Sequence, residues 1–215
     1  MPAPASSKMR SWLFAPGDSA RKMEKACAGA ADIVILDLED AVAIPNKPDA
    51  RRMVADFLAA NGADRDRLWV RVNPLDGEWT AEDLDAVMPS RPGGIVLPKA
   101  EGRHHVEELD RMLGERERAH GIEPGSTPVM ALVTETAAAM FTTGDYRGAP
   151  RLVAMSWGAE DLSDSLGAAD SMNDDGSYRP VFELARSLCL LGAAAAGVTA
   201  IETIMGDFRD LDVLE

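Results

Sequence analysis

The chain has 215 residues, 46% of them hydrophobic, and a formal net charge of −14 at pH 7. This length and composition are typical of a single globular domain with a sizeable core. The negative charge argues against nucleic acids and anionic membranes as partners, because both attract basic surfaces. No apolar run is long enough to span a bilayer, and the first residues lack the apolar core of a signal peptide. We therefore expect a cytoplasmic protein with a disordered tail over 1–9 and one domain over 10–215.

Seven short apolar runs rich in Val, Ile and Leu recur along the chain, and each has a Gly, a Pro or an acidic residue at or near its end. They lie at 11–17, 32–40, 68–74, 93–100, 128–136, 151–161 and 197–204. The runs are continuous rather than alternating, which indicates parallel strands covered on both faces. Helix-like stretches lie between them, at 19–30, 48–60, 80–88, 103–119, 136–144 and 180–196. This repetition predicts an α/β domain built on a parallel sheet.

Either an open doubly wound sheet or a (β/α)₈ barrel fits this order of elements. Polar residues at the ends of the runs favour the barrel, because a barrel gathers the carboxyl ends of all its strands in one mouth. These residues are Asp37, Glu39, Asp40, Arg71, Asn73, Lys99, Glu135, Glu160, Asp161 and Glu202. We therefore predict an α/β fold of the TIM-type (β/α)₈ barrel class. Because an eighth run is not found, we expect the eighth βα unit and the C-terminal segment to be missing from this chain.

Glu135 and Asp161 end neighbouring strands of the predicted barrel, one βα unit apart. Two such carboxylates repel each other unless a cation lies between them. Mg²⁺ suits this position, since it is held by one or two carboxylates together with water and substrate oxygens. The alternative is that both acids only cap helices, as acidic residues at helix starts often do. For Glu160, we expect a side chain that points away from Asp161.

Arg71 lies within the apolar run LWVRVNP, where a buried charge is costly without a partner. One candidate partner is the acidic group of DLED at 37–40, as a structural ion pair. The other is a substrate carboxylate, which a guanidinium binds through two parallel hydrogen bonds. A cation and an arginine together suit an anionic oxo-acid.

Several motifs in the chain occur together in one known family. In chain order they are RSWLFAPGDSARKMEKA, DIVILDLEDAV, VRVNPL, GIVLPKAE, ETAAAMF and GAEDLSDSLG. Their order and approximate spacing resemble the citrate lyase β-subunit-like proteins of the HpcH/HpaI aldolase group, over roughly residues 10–212. The resemblance implies a Mg²⁺-dependent carbon–carbon lyase that cleaves or forms a 3-hydroxyacyl-CoA such as citryl-, malyl- or citramalyl-CoA. Its products are an oxo-acid and an acyl-CoA, and the protein is expected to be a homotrimer or homohexamer.

The resemblance also implies roles for particular residues. Glu135 and Asp161 would be the metal ligands. Arg71 would bind the carboxylate and keto oxygens of the oxo-acid and act in catalysis with Glu39, which would face a water on the metal. The backbone N–H groups at the start of the following helix would bind the other carboxylate of the substrate. Those groups belong to Gly158, Ala159, Glu160 and Asp161.

Weaker candidates surround this predicted site. Asp37, Asp40 and Lys99 are expected near the metal without binding it. Lys47 and Arg51, in the sequence NKPDAR, are interpreted either as ligands of a CoA phosphate or as a surface pair.

The chain departs from the family pattern near its carboxyl-terminal end. The Ile-His-Pro block of the eighth strand is not found, nor is the later Asp that is expected as the acid/base residue. Glu202 stands where the family often has Asp. Two alternatives to the lyase therefore stay open. One is a catalytically impaired or regulatory protein that binds an oxo-acid or CoA, and the other is a CoA-independent aldolase of free hydroxy-oxo-acids.

Overall fold

Seven parallel strands form one sheet in this computed structural model, which describes residues 9–205. The strands pair in chain order. They are β1 (Trp12–Pro16), β2 (Ile33–Asp37), β3 (Leu68–Arg71), β4 (Gly94–Leu97), β5 (Val129–Leu132), β6 (Leu152–Ser156) and β7 (Thr199–Ile201). Each apolar run of the sequence contains one of them. The predicted TIM-type barrel is therefore confirmed, as seven strands of an incomplete barrel. The tail predicted over 1–9 lies outside the described residues except for Met9, as does the domain's end over 206–215.

Helices connect most of the strands on the outside of the sheet. In chain order they are α1 (Ala20–Cys27), α2 (Lys47–Ala60), α3 (Thr80–Val87), α4 (Arg103–Ala119), α5 (Ala159–Leu166) and α6 (Pro180–Ala196). No helix in the described part of the chain has the length and apolar character of a membrane span.

The connection between β5 and β6 differs from the sequence prediction. The helix predicted at 136–144 is wrong, because this segment contains only a single 3₁₀ turn, Ala139–Phe141. The hydroxyls of Thr142 and Thr143 donate to the carbonyl of Ala139 at 3.1 and 3.2 Å. These bonds give the backbone an alternative to a continuing helix. Conversely, α5 is a helix that the predicted stretches did not include.

Strand residues alternate between two hydrophobic layers. The outer layer packs against the helices, and the inner layer lines the concave face of the sheet. Ile33 and Ile35 of β2 belong to the inner layer, as does Trp69 of β3. Side chains two positions apart share a face of a strand, so Asp37 and Arg71 are the next inward residues. The alternation thus brings two opposite charges to the inner face at the carboxyl ends of β2 and β3.

Candidate active site

Arg71 is held by two acids of the turn that follows β2. Its Nε and Nη2 donate to Asp37 Oδ1 and Oδ2 at 2.7 and 2.6 Å, and its Nη1 lies 2.8 Å from Glu39 Oε2. The strand register places Asp37 opposite Arg71, so these inward side chains meet directly. The structural ion pair is therefore present. One N–H remains on each terminal nitrogen of the guanidinium, so the same residue can still bind a substrate carboxylate.

Lys99 lies at the centre of the charged residues, where the sequence had indicated only a weak candidate. Its Nζ is 2.5 Å from Glu39 Oε1, 3.1 Å from Asp161 Oδ1 and 3.6 Å from Asp40 Oδ2. The backbone of Lys99 has a φ of 51°, a conformation that is uncommon outside glycine. In this conformation its N–H donates to Glu135 Oε2 at 2.6 Å. A single residue thereby contacts both predicted metal ligands and Glu39.

Glu135 is buried against the start of α5. Its exposed fraction is 3%. A Cβ atom on Gly158 would lie 2.7 Å from Glu135 Cγ and 3.0 Å from its Oε1, so α5 approaches this closely only because residue 158 is glycine. Burial and the negative charge of Asp161 raise the pKa of Glu135 to about 8. A cation beside Glu135 and Asp161 would offset the repulsion between their like charges.

Glu39 is the third buried carboxylate of the group. Burial raises its pKa to about 7, although the charge of Arg71 opposes the shift. Its Oε2 is close enough to Arg71 for an ion pair but lacks a partner with hydrogen-bond geometry. Glu39 therefore keeps an acceptor atom that a bound group can use.

This group of oxygens fits a hard divalent cation such as Mg²⁺. Carboxylates are the side chains that Mg²⁺ prefers, and Glu135 and Asp161 approach each other with like charge. Within residues 9–205, no group of three His, Cys, Asp or Glu side chains has an arrangement that could hold a metal ion by itself. The protein would thus supply two ligands and leave the other positions to water and substrate, which is the usual arrangement for Mg²⁺.

The first turn of α5 carries the predicted substrate-binding backbone. Gly158 is the N-cap residue, and its N–H donates to Thr134 Oγ1 at 3.3 Å. The following N–H groups, at 159–161, have no acceptor within the helix, as is general for a first helical turn. They are suitable donors for a carboxylate, whereas the Gly158 N–H, which was predicted together with them, already has an acceptor in Thr134 Oγ1. The Glu160 side chain is exposed, whereas Asp161 contacts Lys99.

Asp37 and Asp40 take different positions around this group. Asp37 is 1% exposed and, besides binding Arg71, accepts the backbone N–H groups of Glu39 and Ala41 at 2.9 and 3.1 Å. Asp40 is exposed, at the outer side of Lys99. Asp37 therefore orders the turn, and Asp40 lies at the rim of the mouth.

Sequence reasoning named two side chains behind this turn, Lys47 and Arg51, but did not find their partners. Lys47 and Arg51 are 7% and 9% exposed, so the surface-pair interpretation is wrong. Three hydrogen bonds leave Lys47 Nζ no donor for a CoA phosphate, whereas Arg51 as a phosphate ligand stays a prediction. One signal was available in the sequence. Lys47 is the first residue of α2, where the helix dipole disfavours a cation, and its charge there calls for a specific partner.

Comparison with known proteins gives the family of this chain. Residues 10–214 match the model of the HpcH/HpaI aldolase/citrate lyase family. A citrate lyase subunit beta-like protein of Mycobacterium tuberculosis is 38% identical over 204 residues, which cover 95% of this chain and 67% of that protein. A (3S)-malyl-CoA thioesterase of Cereibacter sphaeroides is 35% identical, with 94% of this chain and 65% of that protein covered. The chain thus spans about two thirds of the length of these relatives.

A solved structure agrees with this result. The crystal structure of protein CitE from Mycobacterium tuberculosis in complex with magnesium, acetoacetate and coenzyme A superposes with a TM-score of 0.82 at 37% identity. The superposition covers 97% of this chain and 71% of that one. The resemblance seen in the motifs is therefore confirmed, and the chain belongs to the HpcH/HpaI aldolase/citrate lyase family.

Proposed function

We propose that this protein is a Mg²⁺-dependent carbon–carbon lyase that cleaves or forms a 3-hydroxyacyl-CoA. The observation that carries the proposal is the convergence of Glu135, Asp161 and Glu39 with Arg71 at the carboxyl ends of the strands. The arrangement offers oxygen ligands for a cation and a guanidinium for an oxo-acid. The crystal structure of a relative contains magnesium, acetoacetate and coenzyme A, and this supports a metal ion, an oxo-acid and a CoA thioester as ligands of the present chain.

Each part of the site has a task in this reaction. Mg²⁺ held by Glu135 and Asp161 would act as a Lewis acid on the carbon–oxygen bond that becomes the keto group. Arg71 would bind the oxo-acid through its remaining N–H groups, and the N–H groups at 159–161 would bind the other carboxylate.

Glu39 is the candidate for the proton acceptor. In the cleavage direction, the substrate hydroxyl loses its proton and the carbon–carbon bond breaks. The electron pair of that bond moves to the α-carbon of the acyl-CoA, which must then gain a proton. A carboxylate with a pKa of about 7 is suited to accept the hydroxyl proton near neutral pH.

The metal site is tested by isothermal titration calorimetry with Mg²⁺ and with an oxo-acid. We expect Glu135→Gln and Asp161→Asn each to lower Mg²⁺ affinity at least about tenfold, because each removes one charged ligand. Glu160→Gln is the matched control, since Glu160 is the exposed neighbour of Asp161 in the same helical turn. Unchanged Mg²⁺ binding in the first two variants, or an equal loss in the control, would show that the assignment is wrong.

Thioester hydrolysis is a second candidate, favoured by the 35% identity to a (3S)-malyl-CoA thioesterase. Product analysis separates the two reactions. A lyase converts malyl-CoA into glyoxylate and acetyl-CoA, whereas a hydrolase releases malate and the free thiol of CoA. Citryl-CoA, citramalyl-CoA and the corresponding free acids belong in the same assay, because turnover of the free acids alone would indicate a CoA-independent aldolase.

The proposal includes a cytoplasmic homo-oligomer, a trimer or hexamer, as the family resemblance implies. Light scattering coupled to size-exclusion chromatography measures the mass of the assembly. A mass equal to that of one chain would contradict this part of the proposal.

A further inference from the structure

A buried polar network lies directly behind the active-site turn and binds its backbone. Lys47 Nζ donates to the carbonyl of Leu38 at 2.8 Å, to the carbonyl of Glu39 at 3.0 Å and to Asn73 Oδ1 at 2.7 Å. These bonds account for all three N–H groups of the ammonium. The side chain therefore has no donor left for a ligand from outside.

Three further side chains, from α2, α3 and the segment after β3, continue the hydrogen bonding that begins at Lys47. The amide of Asn73 donates to the carbonyl of Leu38 at 3.0 Å and to Asp83 Oδ2 at 2.7 Å. Asp83, which is 1% exposed, also accepts the Asn73 backbone N–H at 2.9 Å and Arg51 Nε at 2.9 Å. We call Lys47, Asn73, Asp83 and Arg51 the Lys47 network. It connects the turn after β2 with the segment after β3.

A buried lysine ammonium is an unfavourable choice if its only role is to pack α2 against the sheet. Burial of an ammonium is unfavourable, and burial lowers the pKa of Lys47 against the pull of nearby acids such as Asp83. An apolar side chain would pack α2 at no such cost. What an apolar side chain cannot do is bind the carbonyl groups of 38 and 39.

The backbone of Glu39 is consequently held from both sides. Asp37 Oδ1 accepts its N–H at 2.9 Å, and Lys47 binds its carbonyl. The same Asp37 carboxylate binds Arg71, so the turn and the arginine share one anchor. Arg71 itself lies on β3 and keeps its bonds to Asp37 of β2, so loss of the Lys47 contacts would displace the Glu39 carboxylate relative to the arginine.

We propose that the Lys47 network is a positioning device for the active site, which fixes the Glu39 carboxylate relative to Arg71 and Lys99. Its members act through Glu39 and do not touch the substrate. The proposal rests on the proposed function in one respect, namely that Glu39 takes part in the lyase reaction.

The first test compares two buried cations. Lys47→Met removes the ammonium and keeps most of the stem. Arg116→Met is the matched control, because Arg116 is also largely buried and ties α4 to α3 through the carbonyl of Ala81 and Asp85, without contact to the turn. We expect both variants to have a lower melting temperature. Only Lys47→Met should accelerate amide hydrogen exchange in the segment 38–42.

The second test uses the reaction itself. Lys47→Met should lower kcat at least about tenfold with a KM for the thioester within about threefold of wild type, since binding groups are retained. The control Arg116→Met should keep both constants. In a Glu39→Gln background, Lys47→Met should cause no further loss of kcat, because the network acts through the residue already removed.

The outcomes separate this proposal from the proposed function. If the wild-type protein cleaves none of the thioesters, the lyase function fails, and the exchange measurement still decides the positioning role. Three results would overturn the positioning role of the network. They are unchanged amide exchange over 38–42 in Lys47→Met, equal acceleration of exchange in Lys47→Met and Arg116→Met, and losses of kcat that multiply when Lys47→Met and Glu39→Gln are combined. If Lys47→Met does not fold, Asp83→Asn removes the charge that anchors Asn73 and carries the same expectations.

Discussion

Lys99 places a positive charge among the carboxylates of the mouth. Its ammonium lies against Glu39 and Asp161, and its backbone N–H binds Glu135. Burial alone would lower the pKa of Lys99, but the hydrogen bond and charge of Glu39 and the charge of Asp161 raise it, so the side chain stays protonated. A divalent ion bound by Asp161 would compete with this ammonium for the same oxygen.

We therefore expect Lys99→Met to bind Mg²⁺ more tightly than the wild type, on the order of tenfold. The substitution removes both a competitor for Asp161 and a like charge beside the metal. Calorimetry measures the affinity. Lys25→Met, which removes an exposed charge in the last turn of α1, controls for the change in net charge. A weaker Mg²⁺ affinity in Lys99→Met would indicate instead that the ammonium orients the ligands.

Glu135 should make the stability of the metal-free protein depend on pH. Its pKa is raised in the folded state from 4.5 to about 8, so between these values the unfolded state is the more ionised one. The stability linked to Glu135 is complete below the lower value and is lost as the pH rises through the upper one. Glu135→Gln removes this loss.

The free energy of unfolding of Glu135→Gln, relative to wild type, should consequently increase from about pH 5 to about pH 9. Denaturant titrations in the presence of a chelator measure it. The same difference for Glu160→Gln, an exposed carboxylate, should stay nearly constant. A constant difference for Glu135→Gln would contradict the raised pKa.

At the scale of elements, the site depends on how closely α5 approaches the end of β5. Gly158 stands where the helix meets Glu135, and the sequence gives no direct sign of that distance. Other parts of the mouth are set by strand geometry. Asp37 and Arg71 meet because they occupy facing positions on the inner side of β2 and β3.

Gly158→Ala tests this approach. The new Cβ would lie 2.7 Å from Glu135 Cγ, so either the helix or the carboxylate must shift. We expect Mg²⁺ affinity to fall on the order of tenfold and the free energy of unfolding to fall by about 1–3 kcal/mol, the usual cost of overpacking. Gly62→Ala is the control, since a Cβ there meets no atom within 4 Å. Unaltered Mg²⁺ binding in Gly158→Ala would show that Glu135 does not need its present position.

Sequence patterns predicted the strands of this molecule because a continuous apolar run is a local signal of a buried parallel strand. The helix predicted at 136–144 failed, since side-chain bonds of Thr142 and Thr143 end the turn there. The central place of Lys99 was not predicted either. It depends on a left-handed backbone and on carboxylates that three different segments supply, and such long-range contacts have no local signature.

At the scale of the whole molecule, the barrel separates the charged mouth from a second charged group at its other end. Arg151 directly precedes β6, so it lies at the amino ends of the strands, whereas the site follows their carboxyl ends. Its guanidinium binds Glu117 at 2.5 and 2.8 Å and Asp110 at 2.5 Å. Glu117 is fully buried and also accepts the N–H groups of Gly125 and Thr127. This group ties α4 to the segments before β5 and β6.

Glu117→Gln tests whether stability and binding reside at opposite ends. It leaves Arg151 without its main charged partner, so we expect the free energy of unfolding to fall by about 3–5 kcal/mol, the usual cost of breaking a buried ion pair. Glu115→Gln is the control in the same helix. Its exposed pair with Arg111 should contribute less than about 1 kcal/mol.

Mg²⁺ affinity, measured by calorimetry on the folded variants, should be the same for Glu117→Gln, Glu115→Gln and wild type. The inner hydrophobic layer lies between the amino ends of the strands and Glu135. A displacement of atoms at Glu117 can therefore reach Glu135 only by moving the closely packed side chains of this layer. A changed affinity in Glu117→Gln alone would mean that this layer transmits the displacement. The mouth would then depend on the whole sheet rather than on the turns and the helix start that surround it.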